Sequence, residues 1–253
     1  MELTLDVNGA KIYYTIPVLG GIPITETVVN TWVIMILLTA LCAFLTHNMK
    51  VKPQGKRQVI AEYLVQTAQN FVTGNMGPQF AYYTPFIAGL FALSMFSSLS
   101  GMTGAYAPTS DLSTLLAWAL FVFVLITANK FKSNGFLGYF KGYTEPIAVL
   151  TPFNIISEIA TPVSMAFRHF GNIASGSVIM GLVYAALAVL NYAVFHWIPG
   201  AFGQALANIP ILSIGVPAVL SLYFDIFSSC LQALIFCMLT MMYISSAAST
   251  DEA

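Results

Sequence analysis

The sequence predicts an all-α, polytopic membrane protein with five membrane-crossing helices. Three observations carry that expectation. Asp, Glu, Lys and Arg make up only 8% of the 253 residues while apolar types reach 58%, whereas a soluble domain carries about 25% charged residues. Five apolar runs are long enough to cross a bilayer, which takes about 20 mostly apolar residues in a helix. The basic residues, finally, gather on one side of those runs.

The first span is Thr27 to Thr46, the second runs from about Phe80 to Leu99, and the third is Leu112 to Asn129. The fourth segment, Pro146 to Leu190, exceeds one perpendicular crossing. Pro146, Pro152 and Pro162 punctuate its first part, so a short approach helix followed by a long, tilted spanning helix is expected. The last run, roughly Ile211 to Ser245, is also too long to cross upright and closes a long tilted hairpin with the fourth.

Lys50, Lys52, Lys56, Arg57, Lys130, Lys132 and Lys141 all fall in the first-to-second and third-to-fourth connections, with only Lys11 in the opposite compartment. By the positive-inside rule the N-terminus is outside and the C-terminus cytoplasmic. Within the first inside connection, Val59, Ile60, Tyr63, Leu64, Phe71 and Val72 fall near helical spacing, with Gln58, Glu62, Gln66 and Gln69 on the other face. Two readings fit: an amphipathic helix lying in the cytoplasmic interface, and a helix packed on the bundle. The opening Met1-Glu-Leu-Thr-Leu-Asp6 lacks the positive region of a cleaved signal. The expected organisation is one membrane domain over 1–253, with an outside segment 1–26, a bundle 27–246 and a cytoplasmic tail 247–253.

The net charge of −1 and the lack of a dense basic cluster argue against a nucleic-acid partner. Cys42, Cys230 and Cys237 lie inside apolar runs and read as small packing residues, not as a disulfide framework. No zinc-type spacing, Walker loop or dinucleotide fingerprint is present, so no cofactor is expected.

One residue stands out. Arg168 is the only charged side chain in the 66 residues from Ile159 to Phe224. An arginine at bilayer depth costs roughly 2.5–3.5 kcal/mol on insertion scales, so a partner or a water-filled path must stabilise it. Thr161, Ser164, Arg168, Asn172 and Ser175 follow steps of 3, 4, 4 and 3, which puts all five on one helix face. Gly171, Ala174, Gly176 and Gly181 are small enough to admit another helix. The last span carries a matching stripe, Ser221, Asp225, Ser228 and Gln232. Asp225 suits a proton relay, or a helix-packing hydrogen bond near the outer interface.

Other polar groups bracket these stripes. Asp111, after Ala-Pro-Thr-Ser, is placed to cap the third span or to line an aqueous vestibule. Glu145 precedes Pro146, a common helix-start arrangement. Glu158 lies ten residues before Arg168, about 15 Å along a helix, where it would line an inner exit path or meet the headgroups. His169 points about 100° away from Arg168 around the helix, a direction that favours packing or hydrogen bonding over a second function. Ser164 and His169 make an unconvincing nucleophile and base.

These residues resemble a known family. Pro162-Val-Ser-Met-Ala-Phe-Arg168-His-Phe-Gly171-Asn172 looks like the arginine-helix signature of subunit a of F-type ATP synthases, bacterial type. Leu231-Gln232-Ala-Leu-Ile-Phe236-Cys-Met-Leu-Thr240-Met-Met-Tyr243-Ile is similar to its C-terminal helix, and Ala107-Pro-Thr-Ser-Asp111-Leu to its short outer motif. The resemblance implies a stator subunit of the bacterial plasma membrane, not an enzyme on its own. Its partners would be a ring of c subunits, the peripheral-stalk b subunits and the rest of the complex. Two offset aqueous half-channels would carry protons, or Na+, to and from the ring carboxylates, coupling ion flow to rotation and ATP synthesis. Arg168 would separate the half-channels and attract each arriving carboxylate, with Gln232 near it, Asn172 lining the path and Asp225 relaying ions on the outer side. Relatives often carry Glu or His nine positions after the arginine, where this chain has Ser177; a serine hydroxyl holds a water but does not change charge near neutral pH.

Two other functions compete. A stand-alone secondary transporter could use Arg168 and Asp225 as a binding pair, but no internal repeat or paired broken helices support it. An intramembrane hydrolase would rest on Ser164 and His169 alone.

Overall fold

The structure, a computed structural model, describes residues 9–17, 21–50, 55–144, 148–197 and 212–248. An antiparallel hairpin of β1 (Ile12–Ile16) and β2 (Ile22–Thr25) precedes α1 (Glu26–Thr46), α2 (Lys56–Met76) and α3 (Thr84–Leu99). Then come α4 (Leu112–Gly142), α5 (Thr151–Phe195), α6 (Leu212–Ser221) and α7 (Ser228–Ala248). A π-helical turn, Leu222–Phe227, joins α6 to α7 without interrupting the rod. Among the described residues, five segments are long and apolar enough to cross a membrane: Glu26–Thr46, Pro78–Thr103, Leu112–Ser133, Thr151–Phe195 and Val219–Ala248. The chain is thus a helical, multi-pass membrane protein.

Among the described residues, the hairpin is the one departure from an all-α fold. It pairs Ile12 with Thr25 and Ile16 with Ile22, and the Glu26 N–H closes it onto the Lys11 carbonyl at 2.8 Å. Its side chains on β1 are exposed. Pro23, which cannot donate to a ladder, is tolerated because each strand of a two-stranded sheet is an edge.

Proline shapes α5 less than the sequence suggested. A short 3-10 turn, Ala148–Leu150, leads directly into one helix of 45 residues, Thr151 to Phe195, about 68 Å long at 1.5 Å per residue. Pro152 falls in the first turn, where its missing N–H would have had no intrahelical partner. Pro162 removes only the bond to the Glu158 carbonyl, and the flanking turns hold the helix together. Such a rod must tilt to match hydrocarbon about 30 Å thick. In α4 the opposite correction applies. The helix continues past Asn129 to Gly142, but Gly135 at φ 67°, ψ 171° turns its last part aside.

The core lies where α2, α3, α4, α5 and α7 meet. Val72 and Met76 from α2, Ile87 from α3, Leu115, Ala119 and Val122 from α4, Met165 and Ala166 from α5, and Cys237, Met241 and Ile244 from α7 are buried together. The Cys237 thiol lies 3.8 Å from the Ile87 carbonyl, so it fills space and bonds weakly. All three cysteines are free thiols. Helix α2 divides its length: Val72 and Met76 join the core, whereas Val59, Ile60, Tyr63 and Leu64 are exposed. Helix α1 buries only Thr27 and Ile34 and exposes Ile36, Leu37, Leu41 and Phe44, a surface that lipid solvates at no cost and water would not.

At the end of the bundle away from most of the lysines, polar ties bind α1 to the loop before α4. Asn30 Nδ2 donates to the Tyr106 carbonyl at 2.9 Å, and Glu26 Oε1 accepts from the Tyr106 N–H at 3.3 Å. Burial, and then the nearby Asp111 and Glu26 charges, raise the Tyr106 phenol above its ordinary range.

Candidate functional site

The arginine stripe lies along α5 and splits between two environments. Ser164, Arg168 and Ser175 are exposed, while Thr161 and Asn172 are half-buried. Three hydroxyls satisfy themselves on their own helix: Thr161 on the Ser157 carbonyl at 2.9 Å, Ser175 on Asn172 at 3.1 Å and Ser177 on Ala174 at 2.9 Å. In hydrocarbon this removes the cost of an unpaired hydroxyl. Ser177 is therefore a quiet, exposed group.

Asn172 reaches across to the other stripe. Its Nδ2 donates to Ser228 Oγ at 2.9 Å. One turn on, a Cβ at Gly176 would stand 3.3 Å from Phe224 Cδ1, so this glycine makes room for the Phe224 ring. Gly171, by contrast, has no neighbour within 4 Å of where its Cβ would be. Pairs 172–228 and 176–224 run in opposite directions, so α5 and α7 are antiparallel, and Arg168 lies level with Gln232. Gln232 is buried, 7% exposed.

Asp225 occupies the π-helical turn. It accepts from Ser221 Oγ at 2.6 Å and is half-buried. An i→i+5 turn widens the helix locally and re-aims the side chains on it, a device frequent at functional sites.

Among the described residues, Arg168 has no carboxylate within 4.0 Å. Exposed Val163 and Phe167 flank it on the helix surface. His169 turns the other way. It is 1% exposed, meets Phe236 edge-on with centroids 5.9 Å apart, and neither ring nitrogen has a protein partner. Ser164 is exposed on the arginine stripe while His169 points into the bundle, so they do not share a face.

Asp111 caps α4, accepting from the Ser113 N–H at 2.9 Å, and its other oxygen accepts from Thr27 Oγ1 at 3.0 Å. Glu158 lines a cavity of about 380 Å³ between α4, α5 and α7. Lys130 Nζ meets it at 2.8 Å, and the hydroxyls of Tyr139 and Tyr143 also donate to it. Burial, and then the Glu158 charge, push the Tyr139 phenol above its ordinary range, which keeps it a donor. Glu145 lies outside the described residues. Among them, no three His, Cys, Asp or Glu side chains converge to hold a metal.

Lys130, Tyr139 and Tyr143 were not singled out from the sequence as site residues. Lys130 served only to orient the bundle, and the spacing of four between the tyrosines reads as any aromatic face. Gly135 was the available signal, because a glycine inside a long helical run marks a bend.

The model of the family ATP synthase A chain matches residues 28–245. The ATP synthase subunit a of Propionigenium modestum described as sodium ion specific is 31% identical over 92% of this chain and 77% of its own length. ATP synthase subunit a 1 of Hahella chejuensis is 34% identical, covering 90% of this chain and 86% of its own. The subunit a of Legionella pneumophila strain Paris is 32% identical over 92% and 91%. With its five spans and the paired stripes of α5 and α7, the chain belongs to the ATP synthase A chain family and is an ion-translocating membrane subunit in the stator of the ATP synthase complex.

Proposed function

We propose that this chain carries ions, protons or Na+, between two offset aqueous half-channels and a ring of c subunits, through Arg168. The observation that carries this reading is the arginine's isolation. It is exposed on the polar stripe with no carboxylate within 4.0 Å among the described residues, and we take its counter-charge to come from another chain. A guanidinium stays charged at every physiological pH, so Arg168 attracts an ionised ring carboxylate without taking its proton. The open space beside Gly171 suits a close-packed partner helix. Strong bidentate pairing would hold the rotor still, and each ion supplies only about 2.3 kcal/mol per 100 mV. The contact must therefore be brief.

The two stripes and the cavity support the two paths. On the outer side, Asp225 relays ions past Asn172 and Ser228 to the level of Arg168 and Gln232, with Asp111 at the rim. Ser175 and Ser177 can hold water on that side. On the inner side, ions leave past Ser164 and Thr161 into the cavity that Glu158 lines. His169 backs the stripe from within the bundle. The lysine-rich end faces the cytoplasm of a bacterial cell, the b subunits anchor the chain, and ATP is made elsewhere in the complex.

The test is Arg168→Ala in the assembled complex. ATP-driven pumping should be abolished while the c ring still copurifies; normal pumping would overturn the reading. Transport by the purified chain alone would favour a stand-alone transporter.

A further inference from the structure

Three donors hold Glu158 on the side of α4. Lys130 Nζ bonds Oε1 at 2.8 Å and the Tyr139 hydroxyl bonds the same oxygen at 3.3 Å, while the Tyr143 hydroxyl takes Oε2. Lys130 and Tyr139 come from α4, and Tyr143 is the residue that ends it. Two of them lie beyond Gly135, whose positive φ turns the end of the helix back toward α5. Ring contacts keep that arm in place: Phe131 and Tyr139 have centroids 4.4 Å apart, and Tyr139 and Tyr143 are 5.1 Å apart. Asn154 Nδ2 anchors its end by donating to the Tyr143 carbonyl at 2.9 Å. Ser157, Thr161, Tyr243 and Ser246 also line the cavity.

We propose that Lys130 is a positioning residue for ion passage at this mouth: with Tyr139 and Tyr143 it clamps the Glu158 carboxylate against the α4 wall of the cavity. Ions then pass a fixed group whose charge an ammonium offsets. Without the clamp, the carboxylate turns into the cavity with its full charge and captures passing cations. The inference rests on the cavity being part of the ion path, and it adds to that reading the residues that hold the carboxylate.

The experiment uses the whole complex in inverted membrane vesicles and measures ATP-driven pumping per assembled complex. Lys130→Gln should slow pumping roughly 3- to 10-fold, and Lys130→Arg should keep more than about half the rate. In a Glu158→Gln background, Lys130→Gln should cost nothing further, because the group it positions is already neutral. A wild-type rate for Lys130→Gln, or the same fold loss in both backgrounds, overturns the proposal. Where Lys130→Gln does not assemble or Glu158→Gln does not pump, Tyr143→Phe decides. It removes a donor and no charge. A loss of about twofold or more supports the clamp, and a wild-type rate overturns it. Arg168→Ala in the same vesicles separates the two ideas: if it pumps, the ion-path reading fails, and if it is silent while Lys130→Gln and Tyr143→Phe pump normally, only the clamp fails.

Discussion

Asn172 on α5 donates to Ser228 on α7 at 2.9 Å, and this bond sets the register of the arginine helix against the aspartate helix. With the antiparallel pairing of Gly176 and Phe224 one turn away, it brings Arg168 level with Gln232. Interhelical hydrogen bonds in membranes are worth about 0.6 kcal/mol on average and up to about 1.7. Asn172→Leu should therefore leave the complex assembled but loosen the register, slowing pumping severalfold. Ser228→Ala should do the same, and the double variant should be no slower than the worse single one. Additive losses in pumping assays would mean that the two side chains act separately.

Asp225 accepts from Ser221 in the π-helical turn. Asp225→Asn keeps an oxygen for that bond and removes the titratable group. Pumping should fall roughly tenfold or more, as when an acid–base group is lost, with the same amount of complex assembled. A wild-type rate would make Asp225 a helix-packing residue.

Asp111 joins two helices, capping α4 through Ser113 and accepting from Thr27 on α1, which is fully buried. Asp111→Ala removes a cap, worth about 0.5–2 kcal/mol, and leaves the Thr27 hydroxyl with one partner fewer. Asp111→Asn keeps an acceptor for the Ser113 N–H. Thermal unfolding of the purified complex in mild detergent should show a lower midpoint for the alanine variant and a smaller drop for asparagine.

Gly135 adopts φ 67°, ψ 171°, a backbone region essentially confined to glycine, yet its surroundings are open. Gly135→Ala would therefore meet strain of about 1–3 kcal/mol and no clash. Straightening α4 would draw Tyr139 and Tyr143 away from Glu158. Cysteines at 143 and 158 should crosslink in the wild-type background and much less with Gly135→Ala; equal yields would show that the arm keeps its place.

The sequence by itself determined the five spans, the lysine asymmetry and both polar stripes. It could do so because hydrocarbon enforces simple rules: about 20 apolar residues per crossing, and no charge without a reason. The steps of 3 and 4 along α5 predicted that Thr161 to Ser175 share a face, since helix geometry alone decides that. Tertiary structure decided what each face meets. Pro162 looked like a break and is not, because neighbouring turns carry the helix past one missing bond. His169 turned out to point into the bundle, Asp225 to sit in a widened turn, and Lys130 to meet Glu158 across 28 positions of chain. These outcomes depend on how separate helices dock and on where one glycine bends α4. Local periodicity carries no record of such long-range choices, whereas the cost of a lone arginine in lipid is written in the sequence itself.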